Sequence, residues 1–245
     1  MMHKKHLLKL LLLLPGFLPL LATAQMQEGI ITYEYRMDMH RRIPPEREDM
    51  KAMIPQFRTE NHQLLFNAGE RLYKPVDETA AMPQGRGGGG GRMTFRTPRI
   101  ETYISLENNE RTIAQEFMGR NYLIIDTLGL LPWRLGNEIM EILGHRCQMA
   151  WYTDTVSGEE ITAWFTVGIQ PFLGPDRYST LPGTILALDI NNGERVWVAR
   201  KIEEKKLNGN EIRKPSRGEK ISRPEFDEMM EQQMERMRSG GGFRF

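Results

Sequence analysis

The chain has 245 residues, with 33 Lys plus Arg against 32 Asp plus Glu: long enough to bury one good core, and almost neutral. That balance excludes the basic footprint of a nucleic-acid binder and any general attraction to an anionic membrane surface. A single cysteine, Cys147, excludes an internal disulfide, and within the apolar run LGHRCQMAWYT it reads as a buried small hydrophobe.

Residues 1–24 stand apart from the rest. His3, Lys4 and Lys5 precede the apolar run LLKLLLLLPGFLPLL, and Ala22-Thr23-Ala24 supplies the small residues of a cleavage site. This is the pattern of a secretory signal peptide cut before Gln25. Pro15 and Gly16 interrupt a run already short for the ~20 residues of a membrane span. No cysteine comes directly after the small residues, so no lipid anchor is expected. Removal of the leader with Lys4, Lys5 and Lys9 leaves 221 residues, 30 of them basic and 32 acidic. The expectation is a periplasmic protein that does not span the membrane and has no nucleic-acid partner.

Strand signals dominate the chain after Gln25. GIITYEYRMDM places Ile31, Tyr33, Tyr35, Met37 and Met39 on one face and Thr32, Glu34, Arg36 and Asp38 on the other. PPEREDMKAMI predicts a short helix over about 45–53, with Pro45 in its first turn. HQLLFN and RLYKPV flank Ala68-Gly69 as a hairpin. MPQGRGGGGGRM, residues 82–93, is a low-complexity loop expected to be disordered. Its Gly85, Gly87 and Gly90 match GxGxxG, but no helix pattern comes after them, so the match carries no nucleotide site. IETYISL and RTIAQEFMG turn at Glu107-Asn108-Asn109-Glu110, and NYLIIDTL is the next strand. CQMAWYTD and EEITAWFTVG turn at Thr155-Val156-Ser157-Gly158.

The stretch LGPDRYSTLPGTILALDINNG reads as punctuation between strands. Leu181-Pro182-Gly183-Thr184 has the chemistry of a type II turn, with proline at the second position and glycine supplying φ > 0 at the third. TILALDI leaves as a strand, Asn192-Gly193 is a hairpin signal, and ERVWVARKI returns with Val196, Val198 and Ile202 on one face. A phosphate loop would need a helix after the glycines. From Ser222, SRPEFDEMMEQQMERM begins with a capping box, Ser222 and Glu225, and predicts a helix to about Arg238. Residues 239–245 read as a frayed tail. The fold class is mainly β: a curved antiparallel sheet or half-barrel of about eight to ten strands. A short helix lies in the first half, and one domain (25–221) is followed by a C-terminal helix (222–238).

Taken together, GIITYEYRM, LGHRCQMAWYTD, ITAWFT and LGPDRYSTLPGTILALDINNG resemble the GLPGLI family of exported bacterial proteins. That family is named for a Gly-Leu-Pro-Gly-Leu-Ile signature just after a Gly-Pro pair. Gly174 and Pro175 match the pair, and Leu181, Pro182, Gly183 and Ile185 match the signature, while Thr180 replaces its first glycine and Thr184 its second leucine. The resemblance runs from about Gly29 to Ile202. It implies a periplasmic β-rich protein without an established activity, and it carries over no catalytic residue.

No catalytic constellation stands out. His40, His62 and His145 lie far apart, there is no Gly-x-Ser-x-Gly or Cys-x-x-Cys, and Glu159 and Glu160 point to opposite faces of a strand. The reading is a non-enzymatic binding or interaction protein without a cofactor. It would hold an apolar ligand, or dock on an outer-membrane or other envelope protein through the methionine face of its C-terminal helix. Met230, Met234 and Met237 form that face with Phe226. The alternative is copper handling, with Met37, Met39, His40, Met230, Met234 and Met237 as soft donors. That alternative requires the two segments to meet in space.

Overall fold

The computed structural model describes residues 26–76 and 99–239. The leader, the Gly-rich loop 82–93 and the tail beyond Ser239 lie outside the described residues, as does the side chain of Met237.

The described chain forms one twelve-stranded sheet. Its strands are β1 (Gly29–Asp38), β2 (Phe57–Phe66), β3 (Glu70–Pro75), β4 (Ile100–Ser105), β5 (Glu110–Phe117) and β6 (Arg120–Thr127). They continue as β7 (Arg134–Ile142), β8 (His145–Thr153), β9 (Glu160–Thr166), β10 (Thr184–Ile190), β11 (Arg195–Glu204) and β12 (Glu219–Ser222), before helix α1 (Arg223–Ser239). Two meanders meet in the middle, where β1 pairs with β11, giving the order β12-β6-β5-β4-β3-β2-β1-β11-β10-β9-β8-β7. Every pairing between these strands is antiparallel except β12 with β6. The outermost strands do not pair with each other, so the sheet is open.

Register makes one face the core. Ile202, Ile31, Leu64, Tyr73, Thr102, Ile113, Ile124 and Ile221 stand opposite one another in a single row from β11 to β12. We call the face that carries this row the inner face. Its alternation in β1 is the one legible in the sequence: Ile31, Tyr33 and Tyr35 are all buried. The sheet is bent around that face. Asp176 accepts from Thr102 on β4 at 2.9 Å, and three residues later the Ser179 carbonyl accepts from Trp133, next to β7, at 2.9 Å. Strands β4 and β7 are eight places apart in the order. A flat sheet would separate them by about 38 Å at roughly 4.8 Å per strand, whereas three residues of chain reach about 11 Å. The half-barrel follows from that mismatch.

The C-terminal segment wraps the other end. After β11 the chain crosses the outer face, where Leu207 and Ile212 pack with Leu65, Leu72 and Tyr103. It then adds β12 in parallel beside β6 and turns back over the inner face as α1. Phe226 is buried there among Ile113, Tyr122 and Ile124, with Met229 and Met230 against it. Burying one such phenylalanine contributes about 2–3 kcal/mol. The capping box forms as the sequence predicts: Glu225 accepts from the Ser222 amide at 2.9 Å, and Ser222 Oγ accepts from the Glu225 amide at 3.4 Å.

Several expectations are corrected. There are twelve strands among the described residues rather than eight to ten, the additional ones being β7 and β12. The segment at Pro45–Ala52 is a 3₁₀ helix, following another at Met39–Arg42. Met39 therefore leaves the sheet instead of continuing the Met37 face. On β11 the buried inner residues are Trp197 and Ala199, not Val196 and Val198. A register shift at Thr32/Tyr33 brings Ile202 back to the inner face. The β10–β11 connection is wider than an Asn-Gly pair, since Ile190 stands opposite Arg195 and Asn191, Asn192 and Gly193 all have φ > 0.

Candidate functional site

Residues 167–183, which hold most of the signature, do more than turn the chain. They fill part of the inner face. Ile169, Leu173, Tyr178 and Leu181 are buried against Tyr33, Tyr152, Phe165 and Ile185. The loop and the strand it leads into exchange hydrogen bonds with the rest of the sheet. Tyr33 donates its hydroxyl to the Ile185 carbonyl at 2.7 Å, and Gln170 donates to the Asn67 carbonyl at 3.2 Å. Arg71, buried on β3, donates to the carbonyls of Pro171 and Phe172.

The signature glycines serve close approach. A Cβ on Gly174 would lie 2.0 Å from the Tyr178 carbonyl oxygen, and one on Gly183 would lie 2.1 Å from that of Thr166. Gly183 does not have positive φ, so the expected type II turn does not form. The left-handed residue is Thr180, at φ 72°, where the resembled signature has its first glycine. Thr180 Oγ1 accepts from the Leu131 amide at 3.3 Å. Leu181 and Pro175 are buried, and Pro182 is exposed.

Beyond Tyr178 the loop stops short, and on this part of the inner face the described residues leave a cleft of about 530 Å³, within the usual range of ligand pockets. Its floor is aromatic. Tyr35 and Trp197 stand opposite each other on β1 and β11 and stack with centroids 4.6 Å apart and planes 29° from parallel. His62 and Tyr73 follow on β2 and β3, His62 lying 5.3 Å from Tyr35 and 5.2 Å from Tyr73. Met37 and Ile100 add apolar wall, and Arg42, Arg58, Arg99, Arg195, Glu60 and Asp176 supply charge.

The floor carries a directed hydrogen-bond chain. Trp197 donates its indole N–H to Tyr73 Oη at 2.7 Å, and Tyr73 lies 2.6 Å from His62 Nδ1. Indole is donor only, so Tyr73 Oη accepts there and its own proton is available for Nδ1. Donation in that direction corresponds to the Nε2–H tautomer of His62, whose Nε2 faces Glu60 at 3.4 Å. Burial raises the Tyr73 phenol well above its ordinary range, with the Asp176 charge adding to it. Burial likewise pushes Tyr35 up to about 12. Both phenols therefore stay neutral.

The residues singled out in the sequence are not gathered into one site. Met37 lies in the cleft. The His40 ring lies 2.8 Å from the Ile54 carbonyl, away from the Met37 row. Met230 packs under α1 in a separate cluster with Phe226, and Met234 is exposed. Among the described residues, no group of three or more His, Cys, Asp and Glu is placed to hold a metal ion. Cys147 is fully buried, and burial pushes its thiol up to about 11. Sequence reasoning missed Tyr35, His62, Tyr73 and Trp197 as a group. The available signal was the inner-face parity of β1, which also fixes the parity of whatever strand pairs with it.

No family model matches the chain, and no curated protein matches it in sequence. Among solved structures, PNGF-II is similar in two crystal forms. The form in space group P21 has a TM-score of 0.56 at 15% identity, covering 84% of this chain and 34% of PNGF-II. The C2 form gives 0.56 at 16%, covering 84% and 33%. An uncharacterized conserved protein from Thermus thermophilus gives a TM-score of 0.40 at 8% identity, covering 81% of this chain and 91% of that one. This chain spans about a third of the length of PNGF-II, and at these identities the likeness is one of fold.

Proposed function

We propose that the protein is an exported, non-enzymatic binding protein of the GLPGLI type, whose inner-face cleft holds a small ligand with an apolar body. The observation that carries this is the part of the inner face that the described residues leave unfilled. The same strands that are sealed by residues 167–183 on one side offer Tyr35, Trp197, Met37 and Ile100 to a 530 Å³ space on the other. Export is supported by the leader pattern in residues 1–24, and the family by the signature residues from Gly174 to Ile185. Docking through the helix has less behind it, because Phe226, Met229 and Met230 are already used against the sheet.

The test uses the neutral fluorophore N-phenyl-1-naphthylamine, whose emission rises in apolar sites. Binding by the wild-type protein and its loss in Met37→Trp, which fills the cleft, are expected. Equal binding by both proteins would place the apolar site elsewhere. Periplasmic fractionation of the full chain tests export separately.

A further inference from the structure

The cleft is also lined by charged side chains. On the inner face, one row runs through Tyr152, Ile161, Ile190, Arg195, Met37 and Arg58. Its first three residues are covered and apolar or aromatic. Where the row enters the cleft it changes to arginine, methionine, arginine on three adjacent strands. Arg195 and Arg58 thus flank Met37, with backbones about 10 Å apart at two strand spacings. Arg42 and Arg99 reach the same space from the rim, each about half-exposed.

These guanidinium groups are braced by carboxylates. Glu159 engages Arg195 through one terminal nitrogen, and Glu194 holds Arg42 through Nε at 3.6 Å; neither acid lines the cleft. Glu60 holds Arg58 at 2.7 Å. The cleft wall itself presents four arginines against Glu60 and Asp176. Among the described residues, the buried Nε–H of Arg195 has no hydrogen-bond partner. A buried donor left in that state is costly, and an incoming oxygen anion would satisfy it. Arginine presents a planar fork of donors, matched to a carboxylate and unable to lose its charge.

Resting on the reading of the cleft as a ligand site, we propose that its ligand is a small organic anion. The carboxylate-like head lies between Arg195, Arg58 and Arg42, and the apolar body lies along Met37, Ile100 and the Tyr35–Trp197 floor. Cations with the same body are rejected by the four arginines.

The test titrates the mature protein by calorimetry with three probes that share one body: 4-phenylbutanoate, 4-phenylbutan-1-ol and 4-phenylbutylammonium. The carboxylate is expected to bind at least tenfold tighter than the alcohol, and the ammonium weaker than the alcohol. Arg58→Gln and Arg42→Gln, both at partly exposed positions, should each weaken the carboxylate by several-fold and leave the alcohol unchanged. Arg195→Gln should have the largest effect, with a thermal melt confirming that it folds. Equal affinities for the three probes, all lost in Met37→Trp, would overturn the anion proposal and leave the cleft reading standing. Binding that survives Met37→Trp, or binding of none of the probes, would overturn both.

Discussion

Away from the end that α1 covers, the inner face has a covered half and an open half that share strand β1, and they differ in what covers them. In the covered half, residues 167–183 and the strand they lead into bring backbone carbonyls to buried donors: the Tyr33 hydroxyl, the terminal guanidinium nitrogens of Arg71 and the Trp133 indole. In the open half Trp197, Tyr73 and His62 hydrogen-bond one another, while the buried Nε–H of Arg195 has no partner among the described residues. Strand alternation alone does not decide whether a sheet face is core or site. Tyr33 and Tyr35 are two residues apart on one strand, yet only Tyr35 lines the cleft. The difference is the length of the loop.

The largest expected effect is on the covered half. Gly183→Ala places a methyl 2.1 Å from the Thr166 carbonyl oxygen, a backbone atom in the middle of the core. Overpacking of that kind should cost about 3 kcal/mol. For a chain of this size that lowers Tm by roughly 6–12 °C, readable by calorimetry. An unchanged melt would mean that the loop is not clamped against β9.

Tyr73→Phe addresses the open half. It removes the group joining Trp197 to His62 and leaves two ring nitrogens without their partner, at about 1–3 kcal/mol in urea unfolding. It should also change the tautomer of His62, which nitrogen-15 shifts of the imidazole report. Loss of stability with unchanged His62 shifts would show that the hydrogen-bond chain does not run in the direction assigned.

Alkaline pH sharpens the comparison across both halves. Cys147 is raised from 9.0 to about 11, and Tyr35 from 10.0 to about 12, both chiefly by burial. Groups held neutral by the fold contribute stability that is fully present below their ordinary values and is lost as pH rises toward the raised ones. Unfolding free energy should hold to about pH 9 and fall between pH 9 and 12. Cys147→Ala should lessen the early part of that fall.

The smallest effect has the opposite sign. Thr180→Gly removes a β-branched residue from φ 72° at the cost of one long hydrogen bond to Leu131. It should stabilise the protein by about 0.5–1 kcal/mol. A destabilised variant would mean that the Thr180 hydroxyl matters more to the loop than its backbone strain.

Much of the sheet was legible. The alternation of Ile31, Tyr33 and Tyr35 gave the inner face of β1, and the turns at Ala68-Gly69, Asn108-Asn109 and Ser157-Gly158 join the strands they were read as joining. Strand β7 was not legible, because most of its residues are exposed and a shift between Leu135 and Ile139 breaks its alternation. Its turn, Leu143-Gly144, lacks the Asn or Asp that marks such turns, although both residues have φ > 0. Gly183 was recognised as necessary for the wrong reason: composition shows a glycine, and only packing shows the Thr166 carbonyl beside it. The cleft was not legible at all, since it depends on β1 pairing with β11 across most of the chain. Until that register is known, nothing places Arg195 beside Met37.

The central claim is that the two halves have different roles, and Trp133 and Trp197 report on one each. The chain has four tryptophans, so its indole N–H signals in a nitrogen–proton spectrum are few enough to assign by substitution. Titration with 4-phenylbutanoate should shift the Trp197 signal in the cleft and leave that of Trp133, held by the Ser179 carbonyl, in place. A shift at Trp133 with Trp197 unmoved would contradict that division of roles.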